Sequence, residues 1–215
     1  VGRDRARHRH GDDPARAERR RVDGDVRRRT RRRVDEHRHA DLLGRIGTVA
    51  PGIANALLAS RAARLVLQRL VGLDAEAPLP PFARQRFDRW FRRRSSVGGG
   101  RRGRIILWDD TWARYHEPDI GRAAVTVLEV AGFGVELAEG RVCCGRPAAS
   151  RGMLHEVRRA ADHNIALLAG TEEPIVFLEP SCWSMFVDEY CQLAIPGAER
   201  VAAREREGNP GEGNL

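Results

Sequence analysis

The sequence predicts an α/β fold: a small three-layer domain with a short parallel sheet, preceded by helices and by a disordered arginine-rich tail. Three observations predict it. After residue 103, three short runs of strand-forming residues each lead into a segment of helical period. The first 40 residues show no apolar periodicity at all. Between the two lies a helical stretch that ends at the glycine-rich "SSVGGGRRG" of 95–103.

The tail, residues 1–40, carries most of the charge. All 38 basic residues of the 215-residue chain are arginine, and 15 of them lie there against eight acids. Nearly the whole net charge of +8 is therefore in the tail. An exposed "RRRTRRR" (27–33) would attract phosphate backbones. Acids interleave with the arginines, however, and no aromatic residue precedes Phe82 to stack on a base, so a solvated, self-repelling segment is the reading preferred over nucleic-acid binding.

Residues 41–94 form a helical lead-in. Leu58, Ala62, Leu65 and Val66 share one side of a helical wheel, opposite Arg61, Arg64 and Gln68, so this helix needs a surface to lie against. "APLPPFARQRFDRWFRRR" then supplies a proline-stiffened turn, followed by Phe87, Trp90 and Phe91 at i, i+3 and i+4, an apolar face fit for docking. Residues 95–103 read as a flexible linker.

"RIILW" (104–108) is the first strand. The helix over 117–132 turns Ile120, Ala124, Val127, Leu128 and Ala131 inward and stops at Gly132. "GVELA" (134–138) is the second strand. The helix over 150–170 buries Met153, Leu154, Val157, Ala161, Ile165 and Leu168. "PIVFLEP" (174–180) is the third strand, and "CWSMFVDEYCQL" opens a third helix. Such alternation implies right-handed crossovers and a domain over 104–195, leaving 196–215 as a flexible C-terminal tail.

In a parallel sheet the loops leaving the strands' carboxyl ends share one edge. That brings together "WDDTWARYHEP", "RVCCGRP" and "LEPSCW", and with them Cys143, Cys144 and Cys182. Four cysteines are too few for a disulfide framework, which favours a reducing compartment and a ligand or redox role. Converging thiolates suit an iron–sulfur cluster or zinc. Gly145 lets the backbone turn beside the pair, Pro147 and Pro180 stiffen the loops, and Cys182 starts a helix whose free N–H groups favour a thiolate. The spacing alone fits equally well with cysteines that pack as small hydrophobes, since no C-x-x-C occurs. Cys191, inside the third helix, reads as structural.

Neighbouring polar residues have two readings each. His116 and Glu117 could carry protons or begin the helix at Pro118. Arg146 could hold an anionic substrate or balance an anionic cluster, or simply be solvated. Glu179 either faces the site or bonds its own loop.

"YHEPDIGRAAVTVLEVAG", "CCGRP" and "LEPSCW…DEY", in that order and spacing, resemble the cysteine-rich CCG domain of iron–sulfur oxidoreductases. These include the iron–sulfur subunits of glycolate oxidase and anaerobic glycerol-3-phosphate dehydrogenase, heterodisulfide reductase, and fused FAD and iron–sulfur D-lactate-type dehydrogenases. The resemblance covers 104 to about 195, and the helical lead-in extends it to about residue 41. Thr111 stands where the family has its first cysteine and Met185 where it has its last. By resemblance, Cys143, Cys144 and Cys182 are the metal ligands. Asp109, Asp110 or Thr111 could add an oxygen donor, and Gly145, Arg146 and Glu179 are accessory.

The resemblance implies an electron-transfer domain for a flavin-dependent 2-hydroxyacid (D-lactate or glycolate) or glycerol-3-phosphate dehydrogenase. It would pass electrons from FAD on a missing domain or partner towards quinone or another carrier, with a ferredoxin-type iron–sulfur domain as a further partner. The chain then reads as a carboxyl-terminal fragment of an oxidoreductase rather than a complete enzyme, in keeping with its first residue, Val1.

Two other function classes compete with this one. A zinc-binding or metal-free module would dock partners through Trp90, Trp112 and Trp183. A dithiol switch between adjacent Cys143 and Cys144 would close a strained ring, whereas Cys182 could pair with either. No stretch approaches the roughly 20 apolar residues of a membrane span, and no secretory signal is visible. The expected location is cytoplasmic, including a peripheral place on the inner face of the membrane.

Overall fold

The computed structural model describes residues 40–71, 74–76, 79–95 and 100–207. The tail expected over residues 1–40 therefore lies outside the described residues except for Ala40.

Among the described residues four helices lead in: α1 (Ala40–Gly47), α2 (Pro51–Ala59), α3 (Arg61–Val71) and α4 (Phe87–Arg93). The α/β unit follows as β1 (Arg104–Trp108), α5 (Thr111–Tyr115), α6 (Pro118–Val130), β2 (Gly134–Leu137), α7 (Arg146–Ala149), α8 (Leu154–Leu168), β3 (Ile175–Phe177), α9 (Pro180–Ser184), a π-helical turn (Met185–Glu189), α10 (Tyr190–Gln192) and α11 (Ala198–Glu207). The three strands are parallel in the order β2-β1-β3, with Ile105 opposite Val135 and Ile106 opposite Ile175. β2 and β3 thus flank β1 on opposite sides, and their crossovers cover opposite faces of the sheet.

β1 is apolar along most of its length because both of its faces are buried. Ile106 and Trp108 face a core built with α8, the π turn and α11. Ile105 and Leu107 face a second core with Phe87 of α4 and Val125 of α6. These are the expected three layers.

The expected face of α6 is corrected in part. Ala124 and Leu128 pack against the second core as expected, but the buried residues are Gly121, Val125 and Glu129, Ile120 and Val127 are 44% and 66% exposed, and Ala131 is exposed. Phe87 packs against the bare Gly121, and Arg94 of the lead-in holds Glu129 at 2.5 Å, so a charged residue takes a place on the buried face. In α8, Val157, Ala161, Ile165 and Leu168 are buried as expected and Leu154 is exposed. Asn164 joins that buried face.

Two boundaries also change. Residues 198–207 of the expected C-terminal tail are helix α11, which buries Ala198, Val201 and Ala202. Of these, Ala198 and Val201 join the first core. Glu205 of α11 accepts the Ile175 N–H at the start of β3. The linker at 95–103 does not separate two bodies, because α4 lies on the sheet through Phe87. Of its residues, 96–99 lie outside the described residues, and Gly100 to Gly103 form a tight turn in which Gly103 N–H donates to Gly100 O.

The wheel drawn through Leu58, Ala62, Leu65 and Val66 is interrupted at Ser60, whose extended ψ of 124° separates α2 from α3. Leu65 and Val66 remain exposed, as do Leu42, Leu43, Ile46, Val49, Ile53 and Leu57. Among the described residues no single helix is long and apolar enough to cross a membrane; α1 from Asp41 and α2 together form a bent apolar pair, at 104° to each other.

Candidate metal centre

All three loops at the carboxyl edge of the sheet meet, as the parallel topology requires. β2 leads to the cysteine loop. There the backbone turns at Gly145, whose φ of +86° is a left-handed conformation that a side chain would strain. β3 leads to α9 and brings Cys182 under that loop. Cys144 and Cys182 are buried with their Sγ atoms 3.1 Å apart. Cys143 is partly exposed and lies beside Cys144. The main-chain N–H groups of Gly145 and Arg146 lie near the sulfurs of Cys143 and Cys144 respectively and favour their thiolates. Thr111 Oγ1 lies 3.8 Å from Cys143 Sγ, so this residue, expected to stand in place of a cysteine, borders the thiols.

Two of the thiols, Cys143 and Cys144, are kept protonated by their packing. Bonding to Cys144, and then burial, raise the Cys143 thiol far above the ordinary range. For Cys144 the bond from Cys143 favours the thiolate, but contact with Cys182 and burial outweigh it and push the group up to about 12.

The donors suit a soft metal in kind: three sulfurs in a row, main-chain N–H groups near two of them, and a hydroxyl at the margin. They are closed up on one another. Two thiolates on one tetrahedral zinc stand roughly 3.8 Å apart, given a zinc–sulfur bond of about 2.3 Å, and the 3.1 Å between Cys144 and Cys182 is shorter. Accordingly, among the described residues no group of three or more His, Cys, Asp or Glu side chains surrounds a metal position. Loading requires the thiols to part and lose their protons.

The other expected site residues have definite places. Asp109 is fully buried, and Arg114 grips both its oxygens at 2.6 and 2.7 Å, with Arg141 Nε 3.5 Å away. Asp110 caps α5 by accepting from Trp112 N–H and Ala113 N–H. Both carboxylates, expected as oxygen donors, are thus engaged by the fold. Arg146 pairs with Glu189 at 2.6 Å and bonds Ser184. Glu179 is exposed and caps α9 through Ser181 N–H. Met185 is fully buried in the π turn.

His116 bonds Pro81 O at 3.0 Å and stacks on Phe82, while Glu117 starts α6. Trp90 is partly buried beside Phe87 and carries Arg122 over its ring, and Trp183 is partly buried; Trp112 is 45% exposed.

Four supporting residues were not expected. Asn164 Oδ1 accepts Val142 N–H, and Tyr190 donates to Cys144 O at 2.6 Å. Arg141, with no exposed surface, bonds Asp109 O and pairs with Asp41, which itself accepts Cys143 N–H. A polar residue on the apolar face of α8 was the available signal for Asn164. Asp41 has none, because its partners lie about a hundred positions further along the chain.

Residues 111–187 match the family described as "Cysteine-rich domain", CCG. A subunit of the anaerobic glycerol-3-phosphate dehydrogenase of Escherichia coli (strain K12) is 25% identical over 183 residues, which is 79% of this chain and 46% of that protein. Lactate utilization protein A of Bacillus pumilus is 43% identical over 77 residues, 36% of this chain and 32% of that one. A subunit of the fumarate reductase (CoM/CoB) of Methanothermobacter marburgensis is 32% identical over 100 residues, 46% of this chain and 20% of its own. The chain thus spans less than half the length of these relatives, and no solved structure matches it. Family match, parallel topology and the meeting of Cys143, Cys144 and Cys182 agree in reading residues 111–187 as a cysteine-rich domain of the CCG type.

Proposed function

We propose that the chain is the iron–sulfur electron-transfer part of an oxidoreductase complex, with Cys143, Cys144 and Cys182 holding the cluster. The meeting of these three thiols on the sheet edge, inside a CCG domain, carries the reading. A cluster held there would accept and release single electrons. The protein's own part is to set the N–H groups of Gly145 and Arg146 near the sulfurs, bury two of them, and leave Cys143 partly exposed.

The similarity to the glycerol-3-phosphate dehydrogenase subunit and to lactate utilization protein A supports glycerol 3-phosphate or a small 2-hydroxy acid such as D-lactate or glycolate as the source of electrons. They would arrive from FAD on a further domain or partner protein, with a ferredoxin-type iron–sulfur domain alongside, and leave towards quinone or another carrier. A cytoplasmic place, peripheral to the membrane, agrees with the exposed apolar residues of α1 and α2.

The test is anaerobic purification followed by loading with iron and sulfide. The expected product is brown, holds about one cluster per chain, is bleached by dithionite, and loses its colour in Cys143→Ser and Cys144→Ser. A colourless, iron-free chain overturns the reading.

A second reading is a zinc-binding or metal-free docking module of such a complex, and the closed-up thiols favour its metal-free form, since zinc would need the sulfurs to part. Metal analysis separates the two, since zinc gives neither visible colour nor a paramagnetic signal.

A further inference from the structure

Asp41 lies outside the span matched to the CCG family, yet its carboxylate reaches the cysteine loop. Oδ2 accepts the Cys143 N–H at 2.5 Å, and Oδ1 accepts from Arg141 Nη1 at 2.9 Å. Its helix is firmly seated. α1 lies so close to Tyr115 that a Cβ on Gly44 would overlap the ring, and Tyr115 itself is fully buried.

Two buried cations, Arg114 and Arg141, pair with Asp109 and Asp41, while Asp88 acts on Arg114 and Asp110 on Arg141 without a direct ion pair to them. Arg114 already takes both oxygens of Asp109 at hydrogen-bond distance, and Arg141 Nε stands 3.5 Å from one of them. Asp41 is the carboxylate that meets Arg141 closely, at 2.9 Å. Without it, an undercompensated guanidinium with no exposed surface would lie two residues from Cys143.

We propose that Asp41 is a positioning residue of the cysteine centre. It fixes the loop through the Cys143 N–H and cancels the charge of Arg141, so the helical lead-in sets both the shape and the electrostatic level of the site. Only the electrostatic half rests on the iron–sulfur reading above. An added electron is disfavoured by nearby negative charge and favoured by uncancelled positive charge.

Two measurements on the full chain test this. The first is amide hydrogen exchange of the metal-free protein, comparing residues 140–146 with α8 as an internal control. Asp41→Ala is expected to speed exchange in the loop on the order of tenfold, the loss of one charge-assisted hydrogen bond, with α8 unchanged. Should circular dichroism show that variant unfolded, Asp41→Asn carries the comparison with a smaller acceleration. Loop exchange equal to that of the natural chain overturns the positioning role.

The second is the reduction potential of the iron-loaded chain. Asp41→Asn is expected to raise it at unchanged iron content, and Asp41→Asn combined with Arg141→Gln to return it towards the starting value. An unmoved potential, or a double variant that fails to restore it, overturns the electrostatic role. If the natural chain takes up no iron, the proposed function fails, and the exchange measurement still decides whether Asp41 positions the loop.

Discussion

The Sγ atoms of Cys144 and Cys182 lie 3.1 Å apart, although the two residues are 38 positions apart in the chain. Neither loop could place its sulfur there alone. The contact depends on β2 and β3 flanking β1 in parallel, so that the segments after all three strands share one edge. A mild aromatic disulfide added to the metal-free protein should therefore join Cys144 to Cys182. Two thiols lose two protons and two electrons, and the reagent is reduced to two thiols. The adjacent pair Cys143–Cys144 would instead close a strained ring. Peptide mapping by mass spectrometry checks the linkage; a 143–144 bond as the main product would contradict the geometry.

Metal uptake should rise with pH. Cys144 is pushed up to about 12, and Cys143 is raised further, so both are protonated thiols at neutral pH when no metal is bound. A metal takes the thiolate form, and each ligand must give up its proton on loading. The sign follows directly: raising the pH removes the competitor and strengthens binding, by on the order of tenfold per pH unit for each proton released. Calorimetry with zinc in two buffers of different ionisation enthalpy counts those protons. Uptake independent of pH would mean that the thiols are not the ligands.

The lead-in should prove integral to the fold. Phe87 has no exposed surface, and it joins Ile105 and Leu107 of the sheet to Val125 of α6. Phe87→Ala removes a large buried ring from between α4, α6 and the sheet. It is expected to destabilise the chain by about 3–5 kcal/mol, measured by urea unfolding. A small effect would place α4 outside the cooperative unit.

What was legible in the sequence depended on the range of the interaction. β1 and β2 were readable from local composition because apolar strand formers are set off by glycine and charged residues. Their parallel arrangement, and hence the meeting of Cys143, Cys144 and Cys182, followed from the alternation of elements. The buried face of α6 was readable only in part, through Ala124 and Leu128. Its register is decided by Phe87 against Gly121 and by Arg94 against Glu129, partners supplied by the lead-in. Helix α11 was hidden for a similar reason: "AERVAARERE" is mostly charged, and its burial through Ala198, Val201 and Ala202 uses small residues that give a weak apolar signal. Asp109 and Asp110 looked like candidate donors because they stand at a strand end. Their engagement depends on Arg114 and on the first turn of α5.

Asp88 provides a pH test of the same lead-in. Its carboxylate is buried at the start of α4, where Arg86 bonds it at 2.5 and 2.9 Å and Arg92 at 3.1 Å. Burial alone would raise its pKa. The bond from Arg86, with the charges of Arg114, Arg86 and Arg92, outweighs that and holds the carboxyl below its ordinary range. A depressed folded-state pKa contributes stability that is present above the unfolded value of about 3.9 and is lost as the pH falls through the lower folded value. Asp88→Asn should therefore cost on the order of 1.5–3 kcal/mol near pH 7, as for hydrogen bonds to a charged group. The gap between variant and natural chain should narrow as the pH falls below the ordinary carboxylate range, because both side chains are then neutral. Urea unfolding at a series of pH values reads the gap. A constant gap would assign the loss to shape and hydrogen bonding, and would leave the charge of Asp88 without a part in holding α4.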